Sequence, residues 1–145
     1  MTDNPKAPNS SPGRDGWLLQ PHLETFSGHA GPFYFREEPE TPGVGFYAQT
    51  HHANLNGVVH GGALLTLADM ALWDICRRKL DGPLRGATVT LNSEFVGAGE
   101  VGDFIEATGD ALKTTGSLLF ARGVVTTGGR ALLSFSGTLK RFKPA

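Results

Sequence analysis

One stretch of this chain carries residue types able to manage a developing negative charge. It runs Asn54-Leu55-Asn56-Gly57-Val58-Val59-His60-Gly61-Gly62 and continues through Ala63 to Asp69. The adjacent glycines leave no Cβ between their backbone N–H groups and an approaching ligand. At a helix start those N–H groups lack partners within the helix, and the dipole favours negative charge beside them. A thioester carbonyl turning into an oxyanion would be stabilised there. Gly61 and Gly62 would equally permit tight packing where a loop enters a helix, and the residues alone weigh the two readings evenly.

Asp69 is the second clue, since Asp has poor propensity for a helix interior. Its neighbours one turn away are Leu65, Thr66, Leu72 and Trp73. An Asp on a solvent-facing stripe is the bland reading. The predicted helix is apolar nearly all round, which favours a buried, functional carboxylate. Gly61 and Asp69 are eight residues apart, or about 12 Å along a helix axis at ~1.5 Å per residue. A base must reach its reaction centre directly or through one water. One chain therefore cannot place both groups on one thioester. The partner carboxylate should come from a second subunit whose helix runs antiparallel, and a twofold dimer would hold two equivalent sites.

The elements that must position these residues follow from periodicity. Residues 61 to about 79 lack proline, and Leu64, Leu65, Leu67, Ala68, Ala71, Leu72 and Ile75 recur at helical spacing. Arg77, Arg78 and Lys79 suit the negative end of that helix, and Asp81-Gly82-Pro83 ends it. Strands are expected at Pro32–Glu37 and about Val44–His52, with a turn at Glu38–Gly43 between them. Trp17–Phe26 reads as a short helix or turn. After Gly86 the chain reads as strand throughout: Ala87, Val89, Leu91 and Phe95 alternate with Thr88, Thr90, Asn92 and Glu94. Asp103–Leu112, Leu118–Thr126 and Ala131–Phe142 follow, the last two joined by Thr127-Gly128-Gly129 as a hairpin turn. The predicted class is α+β, one long helix against one antiparallel sheet. Residues 1–16 read as a disordered tail ahead of a single domain over 17–145.

The run NLNGVVHGGALLTLAD, Asn54 to Asp69, is similar to the signature of PaaI-like acyl-CoA thioesterases of the hotdog superfamily. The specific part is the combination: Asn six residues before His60, Gly three before it, and Leu-Ala-Asp ending nine after it. More weakly, the likeness extends over about residues 30–142. It implies a hotdog fold, an antiparallel sheet wrapped round one long central helix, in dimers that often pair into tetramers. It further implies hydrolysis of an acyl-CoA to free acid and CoA. Asp69 then matches the catalytic carboxylate and Gly61 the backbone donor to the thioester carbonyl. Asn54 matches the amide that helps place the carbonyl or the water, and His60 the histidine that shapes the helix start. Thr88, more loosely, falls where some members position the water. Gly62, Trp73, Gly116 and Ser117 are candidates for substrate binding, with Trp73, Phe95 and Met70 around the acyl group. Asp69 would act as a general base or attack the thioester itself. No cofactor is implied, because coenzyme A is part of the substrate.

A formal net charge of −1 gives no electrostatic case for nucleic acid or a membrane surface. No apolar run approaches the ~20 residues that span a bilayer, and the first residues lack the apolar core of a secretory signal. Cys76 is the sole cysteine, which excludes an intrachain disulfide; a cytoplasmic protein is expected. Cys76 itself reads as core. Arg77-Arg78-Lys79 and Lys140-Arg141-Lys143 read as solvated ends of elements, Asp74 as a solvated or interface charge, and His51 and His52 as ordinary strand residues facing opposite ways. No Cys/His set has zinc spacing, and no phosphate-binding glycine pattern is present. Two other functions fit the fold: a hydroxyacyl-thioester dehydratase, whose usual His and acid arrangement HGGALLTLAD does not resemble, and a non-catalytic acyl-CoA sensor. A pure binder has little reason to bury a carboxylate beside an uncharged acyl group.

Overall fold

The central element is a helix of 17 residues, α2 (Gly61–Arg77), and a computed structural model describes residues 12–21 and 24–143 around it. Its inner face buries Leu64, Leu67, Ala68, Ala71, Leu72 and Ile75, the residues whose helical spacing marked them as core. The sheet that receives them contains β1 (Trp17–Leu19), β2 (Tyr34–Arg36), β3 (Val44–Tyr47), β4 (Gly86–Phe95), β5 (Phe104–Thr114), β6 (Leu118–Thr127) and β7 (Arg130–Arg141). Every pairing is antiparallel, in the order β1-β2-β3-β5-β6-β7-β4. Strand β4, which follows α2 in the chain, thus returns to the far edge. Gly137 on β7 lets the helix come close: a Cβ there would sit 2.7 Å from the Leu72 side chain. The core is closed by Val44, Phe46, Ile105, Leu119, Val125, Leu132 and Leu139, all fully buried.

The predicted strands after Gly86 and the helix are present within a residue or two. Three local expectations are corrected. The segment at 17–26 forms β1, which pairs with β2, and a five-residue helix α1 (Phe26–Ala30) follows. The strand expected at Val44–His52 stops at Tyr47 and gives way to a 3-10 turn at Thr50–His52, closed by His52 Nδ1 accepting from Gln49 N–H at 2.9 Å. That local bond offers the backbone an alternative to the sheet. Of the expected tail, residues 1–11 lie outside the described residues. Residues 12–16 are packed: the Tyr34 hydroxyl donates to Pro12 O and the Arg14 guanidinium lies 3.7 Å from the Phe104 ring centre.

A further correction concerns charge. Asp74 is fully buried at 1% exposure, not solvated. It accepts from Gly43 N–H at 2.9 Å and from Arg78 Nε at 3.1 Å, and Arg77 pairs with its other oxygen. Arg78 continues to the carbonyls of Arg36 and Glu38. The end of α2 is thereby bolted to the turn between β2 and β3. A buried carboxylate is tolerated only when so matched.

Candidate active site

The loop before α2 is organised by one side chain. Asn54 Oδ1 accepts the N–H groups of Asn56, at 2.9 Å, and Val58, at 3.3 Å, a side-chain mimic of a backbone turn. With Oδ1 so engaged, the Asn54 NH2 group is its remaining donor, and it meets no acceptor among the described residues. His60 N–H then donates to His52 O at 2.8 Å and seats the helix start.

His60 is the N-cap of α2, with Nδ1 accepting Gly62 N–H at 2.8 Å. This places the ring proton on Nε2. Ala63 N–H donates to His60 O at 2.9 Å. Gly61 N–H alone of these first three donates to no acceptor among the described residues. At a helix start, where the dipole attracts negative charge, that N–H is the open donor. Gly61 also has a packing role: a Cβ there would lie 3.0 Å from the Phe95 ring, which covers this turn from the end of β4. Both readings that the residue types allowed thus have a counterpart in the geometry.

Asp69 lies half-buried in the middle of α2. Its Oδ1 accepts from the Thr88 hydroxyl at 2.8 Å, and Thr88 Oγ1 in turn accepts from Trp73 Nε1 at 3.3 Å. Its other oxygen has no partner among the described residues. Thr88 faces the helix because of a register shift in the β4–β7 pairing between Thr88 and Thr90. Strict alternation would put Ala87, Val89 and Leu91 on one face. The bulge instead turns Ala87 and Val89 outward and points Thr88 and Leu91 inward. Val89, on the outer side of this edge strand, is 56% exposed, and Phe95, at its end over the first turn of α2, is 53% exposed.

The candidate residues form three groups. His60, Gly61 and Gly62 lie at the helix start, with Asn54 in the loop that leads to it; Asp69, Thr88 and Trp73 meet two turns on. Gly116 and Ser117 stand apart, in the β5–β6 turn, where they border an open recess with Lys140, Arg141 and Lys143. Met70 and Trp73 line a cavity of about 240 Å³ beside Asp69 together with Phe35 and Arg77. A larger one, about 420 Å³, opens beside His60, Gly62 and Ala63 under α1. The residue-level reading missed what builds it. His51 and His52 are not on opposite faces of a strand: their rings lie 3.9 Å apart, tilted by 40°, in the 3-10 turn. His51 Nε2 bonds Gly31 O at 2.8 Å and His52 Nε2 bonds Ala30 O at 2.6 Å, holding α1 in place. His52 Nδ1 accepts from Gln49, so its Nε2 carries the proton, and burial lowers its pKa below the usual 6.5. Only a turn recognised at Gln49 would have taken the two histidines out of the sheet, and no residue there signals one. Burial pushes the Cys76 thiol up to about 11, so it remains a protonated core residue. Among the described residues, no three His, Cys, Asp or Glu side chains gather as a metal site, and no helix is long and apolar enough to cross a membrane.

A seven-stranded antiparallel sheet around one long helix, with an open N–H at the helix start and a carboxylate on the same helix, defines a hotdog-fold protein. The chain belongs to the thioesterase superfamily, whose family model matches residues 56–134. That span takes in the helix, its approach loop from Asn56 and most of the sheet. The Pseudomonas aeruginosa esterase candidate PA0474 is 32% identical over 108 residues, 74% of this chain and 81% of that protein. Among solved structures, a mutant of the phenylacetic acid degradation protein PaaI from Thermus thermophilus superposes with a TM-score of 0.70 at 23% identity, over 81% of this chain and 98% of that one. A hypothetical thioesterase from Streptococcus pneumoniae, solved with coenzyme A, gives a TM-score of 0.60 at 20% identity, over 70% and 78% of the two chains.

Proposed function

We propose that this protein is an acyl-CoA thioesterase whose sites lie between two protomers, each joining one chain's helix start to the other's Asp69. The observation that carries the reading is the pair of unused groups on α2: the Gly61 N–H at its first turn and the free Asp69 oxygen eight residues on. About 12 Å of helix separates them, so a single chain cannot bring both to one carbonyl. An antiparallel second copy of α2 can. The uncovered side of α2 supports this, because Leu65, Asp69, Met70 and Trp73 all lie along it half-buried. So do the exposed apolar side chains of Val89 and Phe95 on β4.

In the reaction, Gly61 N–H and the Asn54 NH2 group receive the thioester oxygen as it gains charge. Thr88 holds Oδ1 of Asp69, and the second oxygen takes a proton from water as the water oxygen bonds to the carbonyl carbon. Collapse of the tetrahedral centre breaks the C–S bond, and the CoA sulfur recovers the proton from Asp69. The products are the free acid and CoA, with no cofactor consumed. Direct attack by Asp69 would instead pass through a mixed anhydride. Single-turnover hydrolysis in ¹⁸O-water tests for the anhydride: label appearing in Asp69 shows direct attack followed by water opening the anhydride at the Asp69 carbonyl, which a general base never gives. Coenzyme A on the Streptococcus pneumoniae neighbour supports the substrate class. A cytoplasmic dimer, or a dimer of such dimers, is the working form.

Free-thiol release from a panel of acyl-CoAs tests the activity, and saturable binding without thiol release would replace it with a sensor. Subunit mixing tests the architecture. Asp69→Asn removes the base, and Asn54→Asp removes the NH2 donor while keeping the oxygen that organises the loop. Each variant alone should be inactive. Random exchange of the two makes about half the dimers mixed, each with one intact site, and restores about a quarter of wild-type activity. No recovery, with exchange demonstrated, would place each site within one chain.

A further inference from the structure

Trp73 lies one turn beyond Asp69 on α2, where side chains share a helix face. Its indole N–H donates to Thr88 Oγ1 at 3.3 Å, and the Thr88 hydroxyl donates to Asp69 Oδ1 at 2.8 Å. The chemistry of the groups fixes both directions. An indole N–H can only donate, an ionised carboxylate can only accept, and a threonine hydroxyl has one proton to give. With the indole on a lone pair of Thr88, that proton lies on the Asp69 side. The bulge in β4 that turns Thr88 towards the helix supplies both contacts at once. A part-buried indole N–H needs an acceptor whatever its function, and Trp73 also borders the cavity of about 240 Å³ beside Asp69. Neither role requires that the acceptor be the residue holding the carboxylate.

We propose that Trp73 is a positioning residue that acts on Asp69 through Thr88, pinning the hydroxyl proton on Oδ1 so that the carboxylate takes up protons only at its other oxygen. The assignment rests on the thioesterase reading above, and it gives Trp73 a role other than contact with the substrate. In hydrolysis the water oxygen bonds to the carbonyl carbon and its proton passes to Asp69. The same proton returns to the CoA sulfur as the C–S bond breaks. One carboxylate oxygen, turned to the substrate, must do both. A hydroxyl free to rotate would leave Oδ1 open to the proton, on the side held by β4 and away from the sulfur. The indole removes that freedom, and by polarising Oγ1 it strengthens the bond to Asp69. Its own bond is the longer of the two and near the limit for N–H to oxygen. Losing it should therefore cost less than losing the Thr88 hydroxyl.

The test compares kcat and KM of Trp73→Phe, Thr88→Val and the double variant on the acyl-CoA that wild type turns over fastest. Trp73→Phe keeps an aromatic ring and loses the N–H, so kcat should fall about threefold to tenfold, with KM within about twofold. The double variant should be no slower than Thr88→Val alone, because the indole then has nothing to act through. A raised KM with unchanged kcat would make Trp73 a substrate contact. A loss that multiplies with that of Thr88→Val would make it packing, and either result overturns the proposal. A second readout needs neither turnover nor a substitution at Trp73. The chain has two tryptophans, Trp17 and Trp73, and Trp17→Phe leaves one indole N–H signal in a ¹⁵N NMR spectrum, which assigns the pair. The Trp73 signal should move upfield in Thr88→Val and, by less, in Asp69→Asn, while that of Trp17 stays put. A Trp73 signal indifferent to Asp69→Asn would break the relay. Normal hydrolysis with an unmoved kcat in Trp73→Phe would overturn the proposal alone. No hydrolysis of any acyl-CoA by wild type would overturn the thioesterase reading and the proton-directing role together.

Discussion

Two aspartates five residues apart on one helix, Asp69 and Asp74, have opposite surroundings. Asp74 is sealed under the β2–β3 turn, with a backbone N–H and two guanidinium groups around it. Asp69 lies on the uncovered side of α2, holds one neutral hydroxyl and keeps an oxygen without a partner among the described residues. A carboxylate with both oxygens paired to fixed cations is a structural clamp. One held by a single neutral donor, half in the open, is available for a reaction. The difference lies in the partners, because both residues interrupt the same apolar helix in the same way.

The comparison can be broken by exchanging charge for amide at each position. Asp69→Asn keeps an oxygen for Thr88 and loses the base, so turnover should fall by about a hundredfold or more, with thermal unfolding nearly unchanged. Near-normal hydrolysis by that variant would remove Asp69 from the mechanism. Asp74→Asn should do the reverse. It strands Arg78, whose side chain is 10% exposed, and should cost about 3 kcal/mol of stability in denaturant titration, while molecules that remain folded keep their activity. If instead Asp74→Asn left stability intact and abolished turnover, the roles given to the two residues would be wrong.

Thr88→Val sharpens the same contrast with a smaller effect. Losing a hydrogen bond to a charged group is worth about 1.5–3 kcal/mol, so kcat should drop by roughly tenfold to a hundredfold with little change in KM. An unchanged kcat would make the Thr88 contact incidental. The smallest effect concerns His52. Its folded pKa is lowered, chiefly by burial, with the neighbouring His51 adding to the effect. The unfolded chain therefore binds a proton more readily as pH falls through about 6.5, and stability declines below that point. Relative to wild type, His52→Asn should be less stable at pH 7.5. The gap should narrow on acidification to pH 5.5, read by thermal melts at both pH values.

Much of the fold was legible beforehand. The helix and the four long strands after it are strongly periodic, and one continuous element on each face leaves little choice of arrangement. The hotdog class followed from that order and from NLNGVVHGGALLTLAD. What escaped was local. The bulge between Thr88 and Thr90 reverses which β4 side chains meet the helix, and no glycine or proline marks it. Gln49 and His52 close a 3-10 turn through a side-chain bond that strand periodicity does not register. Arg78 and Asp74 look like ordinary charges at a helix end, and only the return of the β2–β3 turn over them shows otherwise.

By itself, the order of residues determined that a long apolar helix starts at a glycine pair with Asp69 two turns along, because helical rise and side-chain spacing are properties of the local chain. Only the tertiary structure decided which groups on that helix are spoken for. Burial and hydrogen bonding depend on distant segments: the β4 strand that delivers Thr88 to Asp69, the β2–β3 turn that closes over Asp74, and the paired histidines that hang α1 over a cavity.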